Sequence, residues 1–339
     1  MLSLDKKKEA RALDIHRRAI VVDSHSDIIM AVMPEEPYIE LTEGKAVPRK
    51  SFGEHLNSLK MGGVKCQIFP VWVSPLFIPA ALSRAMQMVD VFHIQVKKHG
   101  DRIELCTTSS EVTDAVNKGK LAAILALEGG EALSESPGLL RIFHRLGVRS
   151  FGLTHNPRNQ LADGSGEPRS RSGLTAIGAE IVEEMNRLNM IIDISHINER
   201  GFWDLLEISK NPVIASHSNC KALCDHHRNL TDDQIRALAE KGGVMAITFV
   251  EKFIDVNQER VNIERVLDHF DHAVDIAGSE HVGVGSDFYG LMPSKIKGLE
   301  DITKLPELTR GLVARGYDEK DIENILGENF LRIFKQILK

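Results

Sequence analysis

Short apolar runs that stop abruptly at a histidine or a carboxylate recur along this chain, and the segments between them carry helical spacing. The first run, Ile20-Val21-Val22, leads into Asp23-Ser24-His25-Ser26-Asp27. It predicts a buried strand over 19–25 whose end turns polar. Residues two apart on a strand share a face, so His25 and Asp27 stand side by side. On its own the stretch reads equally as a strand running into a polar turn.

The pattern then repeats. A second strand is predicted over 64–73 and a third over 121–127, where Leu121-Ala122-Ala123-Ile124-Leu125-Ala126-Leu127 is apolar without a break and Glu128 follows at once. An unbroken run suits a parallel strand covered on both faces. Strands over 148–154, 191–195, 212–216, 244–249 and 282–286 complete the set, with His155, His196, His217 and Asp287 at or just past the ends of four of them. Helical patterns occupy 3–18, 79–99, 174–189, 199–209, 261–277, 306–315 and 319–337. Another helix starts at Thr231, with Asp232-Asp233-Gln234 as its cap and acidic first turn, and stops at Gly242-Gly243. The stretch 34–50 has no period and is rich in Pro, Glu and Gly, which predicts a long loop at the barrel mouth.

Eight strands, nearly all followed by a helix, predict a single (β/α)8 TIM barrel spanning residues 1–339 as one domain. The rival is a doubly wound open sheet, and its Gly-rich phosphate loop is missing after the first strand.

Composition narrows the partners. The 339 residues are 42% hydrophobic and 27% charged, enough apolar surface for a full core. Net charge is −6 with no basic run, which argues against nucleic acid or anionic lipid. No apolar run approaches the roughly eighteen residues of a membrane span, and charges interrupt the N-terminal stretch before it reaches signal-peptide length. The expectation is a cytoplasmic protein. Cys66, Cys106, Cys220 and Cys224 fit no disulfide framework and no CxxC pair; Cys220 and Cys224 read as two small half-buried residues.

In a barrel of this kind all strand C-termini open on one face, and that face carries the active site. Here the sequence puts His25, Asp27, Glu128, His155, His196, His217 and Asp287 on it. So many partly desolvated ionisable groups would be costly to bury without a cation. A single zinc ion takes three protein ligands and keeps one position open, so these residues are too many for one ion. Two ions sharing a carboxylate fit better, with Glu128 as the bridge between the early His/Asp pair and the later histidines.

The segments VVDSHSD, ALEGGEAL, GLTHNPRNQLADG, GLTAIGAEIVEEMNRLNMIIDISH, PVIASHSNCKALCDHHRNLTDDQI, HVGVGSDFYG and ILGENFLRIF, in that order from residue 21 to 334, resemble the membrane (renal) dipeptidase family of zinc peptidases within the amidohydrolase-like metal-dependent barrels. The resemblance implies that His25, Asp27 and Glu128 hold one zinc, and that Glu128, His196 and His217 hold the other. It implies that His155 stabilises the developing oxyanion, that Arg228 grips the substrate and that Asp287 handles the proton. Manganese or cobalt would accept the same ligands. Asp287 also reads as a third metal contact or a turn cap, and Arg228 as a solvated loop charge beside His226 and His227. The chain departs from the family at Ile28-Ile29-Met30 and at His227, places where the family commonly has a proline. Asp193 and Ser195 read as residues that orient their neighbours. His226, His269, His272 and His281 read as surface or structural.

The implied activity is hydrolysis of free dipeptides by a hydroxide shared between two metals, with a C-terminal D-residue left open; a homodimer is implied as well. A related binuclear amidohydrolase acting on another small amide, an N-acyl amino acid or a β-lactam-like ring would use the same ligands. Arg228 and the 34–50 loop would separate the two. A metal-stabilised barrel that binds without catalysis would be favoured by a missing ligand, and all five metal positions are intact.

Overall fold

In the computed structural model, which describes residues 4–33, 50–167, 169–289, 294 and 296–339, parallel strands build one sheet that curls almost into a closed barrel. The strands are β1 (Val21–Asp23), β2 (Val64–Trp72), β3 (Ile103–Leu105), β4 (Leu121–Glu128), β5 (Val148–Gly152), β6 (Ile191–Asp193), β7 (Ile214–Ser218), β8 (Val244–Ile247) and β9 (Val282–Val284). Their spatial order is β1-β2-β4-β5-β6-β7-β8-β9. The ring is drawn together where Ser24 N donates to Val284 O at 3.0 Å and Asp287 N donates to His25 O at 2.9 Å. This is the expected eight-stranded TIM-like α/β fold.

The period-two pattern of the strands explains how the barrel is filled. Ala123, Leu125, Leu127, Ile192, Ala215, Met245 and Ile247 belong to the large core shared with the surrounding helices. The residues one step out of phase, Ala122, Ile124, Ala126, Ile191, Ile214, Val244 and Ala246, form a separate cluster with Val22 and Ile68. Phe330, Ile333, Phe334 and Ile337 close that cluster, and their spacing is one face of the last helix, Asn329–Ile337. Glu128 continues the second phase to the end of β4, in register with Trp72 of β2 and Gly152 of β5.

Several elements differ from expectation. β3 was not predicted: only Ile103 is fully buried, and three residues around Glu104 give no readable period. It pairs with Leu121–Ala123 at the start of β4, below the stretch that pairs with β5. Helices Phe52–Met61, Ser109–Asn117 and Pro137–Arg145 were also unpredicted. The helix expected over 319–337 is broken into Glu319–Glu323, a wider turn Asn324–Glu328, and Asn329–Ile337. Gly327 sits in that turn because a Cβ there would lie 1.9 Å from Ile20 O. By contrast the cap read at Thr231 is present: Thr231 Oγ1 accepts from Gln234 N at 3.3 Å, and the Gln234 side chain accepts from Thr231 N at 3.0 Å. Cys220 and Cys224 are fully buried rather than half-buried. The loop expected over 34–50 lies, but for Lys50, outside the described residues. No helix among the described residues is long and apolar enough to cross a membrane.

Candidate active site

The strand ends bring His25, Asp27, Glu128, His155, His196, His217 and Asp287 together. Glu128 stands in the middle. Its Oε2 lies 3.4 Å from His25 Nε2, while its Oε1 lies 2.8 Å from His196 Nε2 and 3.5 Å from His217 Nε2. His25 Nε2 is also 3.8 Å from Asp27 Oδ2 and 3.9 Å from Asp287 Oδ1. Ligand atoms of three trios, His25/Glu128/His217, Glu128/His155/His196 and His25/Asp27/Asp287, each lie within 4.8 Å of one another. The ring of His155 packs 4.2 Å from that of His196 and 5.0 Å from that of Trp72.

Two hydrogen bonds behind the cluster fix which nitrogen of each imidazole faces it. His196 Nδ1 is 3.0 Å from Asn156 Oδ1, an amide oxygen that can only accept, so Nδ1 carries the proton and Nε2 the lone pair. His217 Nδ1 is 2.8 Å from Ser216 Oγ, whose own proton goes to the Asp193 carboxylate, so the hydroxyl accepts from Nδ1–H. The two Nε2 atoms then face each other at 2.8 Å with lone pairs toward the same Glu128 oxygen. Three converging acceptors are stable only around a cation, and imidazole nitrogen with carboxylate oxygen is a donor set for zinc and its neighbours. The residues fit a metal ion.

Asp193 and Ser195 thus orient neighbours, but on the His217 side rather than around His196. Asp193 Oδ1 accepts from Ser195 Oγ at 2.7 Å and from Ser216 N at 3.0 Å, and Ser195 Oγ accepts from His217 N at 3.1 Å. Asn156 and Ser216 were not singled out from sequence. Their signal was available: each is a small polar residue beside a ligand-type histidine at a strand end.

Arg228 is not a solvated loop charge. It is 2% exposed, its Nη2 donates to His217 O at 3.0 Å, and its Nε and Nη1 have no hydrogen-bond partner among the described residues. Asn229 holds the backbone beside it by donating to Cys224 O at 2.9 Å and Phe253 O at 2.8 Å.

The family model described as membrane dipeptidase, peptidase family M19, matches residues 9–339. The chain belongs to the membrane dipeptidase family. The chain is 40% identical over 258 residues to Dipeptidase verJ of Clonostachys rogersoniana, 76% of this chain and 66% of that protein. It is 36% identical over 259 residues to Dipeptidase tcpJ of Claviceps purpurea, 76% of this chain and 61% of that protein. The matched stretches therefore span less than two thirds of either relative's length. A metallo peptidase from Rhodobacter sphaeroides, solved with a phosphinate mimic of the dipeptide L-Ala-D-Ala, superposes with a TM-score of 0.83 at 30% identity, covering 94% of this chain and 99% of that one.

The electrostatics of this family member's cluster follow from burial. Burial opposes charging of His25, yet the Glu128, Asp27 and Asp287 carboxylates around it push it up to about 10. Burial raises the Asp27 carboxyl well above its ordinary range and lifts Asp287 to about 6. Burial also holds His196 and His217 well below the usual imidazole range, with Arg228 adding to the effect, and lowers His155 to about 4. Neutral His155, His196 and His217, with the Asp27 and Asp287 carboxyls that resist ionisation, leave the cluster poised for positive charge, while Glu128 is held well below its ordinary range, its burial outweighed by His25 and His196.

Proposed function

We propose that the chain is a metal-dependent dipeptidase that hydrolyses the peptide bond of free dipeptides, those with a C-terminal D-residue included. The observation that carries this reading is Arg228: a buried guanidinium with two donors open, beside a cluster fit for cations. A planar guanidinium matches a carboxylate with two parallel hydrogen bonds. A carboxylate clamp beside the cluster would favour a substrate with only one residue beyond the scissile bond, which is a dipeptide. The phosphinate mimic of L-Ala-D-Ala bound to the Rhodobacter sphaeroides relative supports the same class and the tolerance for a D-residue.

His25, Asp27 and Glu128 would hold one divalent ion and Glu128, His196 and His217 a second, zinc by preference and manganese or cobalt as substitutes. Such ions polarise a carbonyl and bring the pKa of water toward neutrality. The remaining steps belong to the protein. Arg228 orients the substrate. His155, kept neutral by burial, donates a hydrogen bond to the carbonyl oxygen as charge grows there, a contribution on the order of 3 kcal/mol. Asp287, whose carboxyl sits near neutrality, accepts a proton from the attacking water and returns it to the leaving amine.

The test is hydrolysis of L-L and L-D dipeptides beside their C-terminal amides and N-acetyl forms, with metal-loaded, chelated and Arg228→Ala protein. Metal-dependent cleavage that collapses on amidation and in Arg228→Ala is expected. Equal cleavage of the amides or N-acetyl compounds would sink the dipeptidase reading in favour of a broader amidohydrolase.

A further inference from the structure

Asp23 is the last residue of β1, has no solvent exposure, and is no part of the ligand cluster. Its two oxygens are both engaged by one residue from the far end of the chain. Oδ1 accepts from Ser286 N at 2.8 Å and Oδ2 from Ser286 Oγ at 2.7 Å. The turn beyond Ser286 is unusual, because Asp287 has φ +59°, in the left-handed region that a non-glycine residue seldom adopts. A backbone in that region persists only where its surroundings over-determine it, and such residues gather at active sites.

The surroundings here do so. Asp287 N donates to His25 O at 2.9 Å, Asp27 N donates to Phe288 O at 3.1 Å, and Ser26 Oγ donates to the same carbonyl at 3.1 Å. Gly285 lets the chain press inward at this point, since a Cβ there would lie 1.8 Å from Ser216 O. His25, Asp27 and Asp287 therefore sit on two segments laced together, and the Asp23 carboxylate is the buried anchor of the lacing. With the turn held this way, Asp287 Oδ1 stands 3.9 Å from His25 Nε2.

We propose that Asp23 is a positioning residue for the reaction: it clasps Ser286, fixes the strained turn, and so aims the Asp287 carboxylate into the cluster. The inference rests on the reading of Asp287 as the proton carrier. A carboxylate lets both oxygens accept from Ser286, one from N–H and one from O–H, while the Ser286 oxygen takes the Phe288 N–H. An Asn at position 23 keeps one acceptor oxygen, and its N–H is satisfied only if the Ser286 hydroxyl gives up its bond to position 23 and turns toward His25 O, which loosens the clasp.

The experiment is a double-mutant cycle on the metal-loaded full chain, with Asp23→Asn, Asp287→Ala and the pair, reading kcat, KM and bound zinc. Asp23→Asn is expected to lower kcat about 10- to 100-fold, the range for residues that orient a site through another group, with KM and zinc content kept. In the Asp287→Ala background it should have no further effect, because the group it aims is gone. Equal losses of kcat in both backgrounds, or a fall in zinc content that tracks kcat, would overturn the proposal. Should Asp23→Asn fail to fold, Ser286→Ala removes one bond of the clasp and runs the same cycle. If the wild-type chain cut no dipeptide, the dipeptidase reading would fall, and the crystal structure of the Asp23→Asn chain would decide the clasp. Relaxation of Asp287 out of positive φ supports it, and an unchanged turn overturns it.

Discussion

His269 makes this protein lose stability as pH falls, and the size of the loss follows from its surroundings. The residue lies on the helix Ile263–Ala277 and is 0% exposed. Cys220 N donates to its Nδ1 at 3.1 Å, so Nδ1 must carry a lone pair and Nε2, 2.9 Å from Ile254 O, must carry the proton. Both bonds are made by the neutral ring; a second proton would set Nδ1–H against Cys220 N–H. Burial lowers the group from 6.5 to about 4. Between those values the unfolded chain binds a proton that the folded chain refuses, so stability is fully present above pH 6.5 and drains away as pH falls toward 4. At about 1.4 kcal/mol per pH unit the gap is worth about 3 kcal/mol, with no discount for screening because the ring is buried. The assay is urea unfolding from pH 7.5 to 4 of wild type and His269→Gln, whose amide supplies an acceptor and a donor that do not titrate. Wild-type stability should fall further than the variant's by about that amount across the window. His55, also pushed down to about 4 by burial, titrates in both proteins and cancels. A wild-type-minus-variant difference that stays constant with pH would refute the argument. The consequence reaches the site, because Cys220 and Ile254 anchor the segments after β7 and β8 that enclose Arg228.

Two further predictions test the shell behind the cluster. Ser216→Ala and Asn156→Ala each free one imidazole of the cluster, that of His217 or His196, to take the other tautomer, and on the proposed metal-dependent reading each should weaken binding of added zinc about 10- to 100-fold in equilibrium dialysis without unfolding the chain; unchanged affinity in both would show that the tautomers are set elsewhere. Gly285→Ala forces a methyl group onto the Ser216 carbonyl and should cost about 1–3 kcal/mol in urea unfolding, whereas an unaltered midpoint would mean that the turn accommodates a side chain.

Long apolar stretches were legible because their burial is decided locally. In β4 every residue from Leu121 to Glu128 is buried, and an unbroken apolar run has no other stable place than between two covered faces. Elements whose burial is partial were not legible. β3 holds its place by pairing with β4, and its own side chains announce little. The last helix reads as continuous because helical period is insensitive to one wider turn. Only the packing of Gly327 on Ile20 O shows why the break is there.

The sequence by itself determined the barrel and the list of residues at its mouth, since strand period and abrupt polar endings are properties of neighbouring residues. What only the tertiary structure decided is how those residues act on one another. Glu128 divides its oxygens between His25 and the His196/His217 pair, across three strands. Arg228, which the sequence left open as a surface charge, is buried because segments after two different strands fold over it. Asp23 meets Ser286 across 263 residues of chain, and the left-handed turn at Asp287 lies directly beyond that contact. Hydrogen bonds, charge coupling and backbone strain depend on distance in space, and spacing along the chain does not encode that distance until the barrel closes.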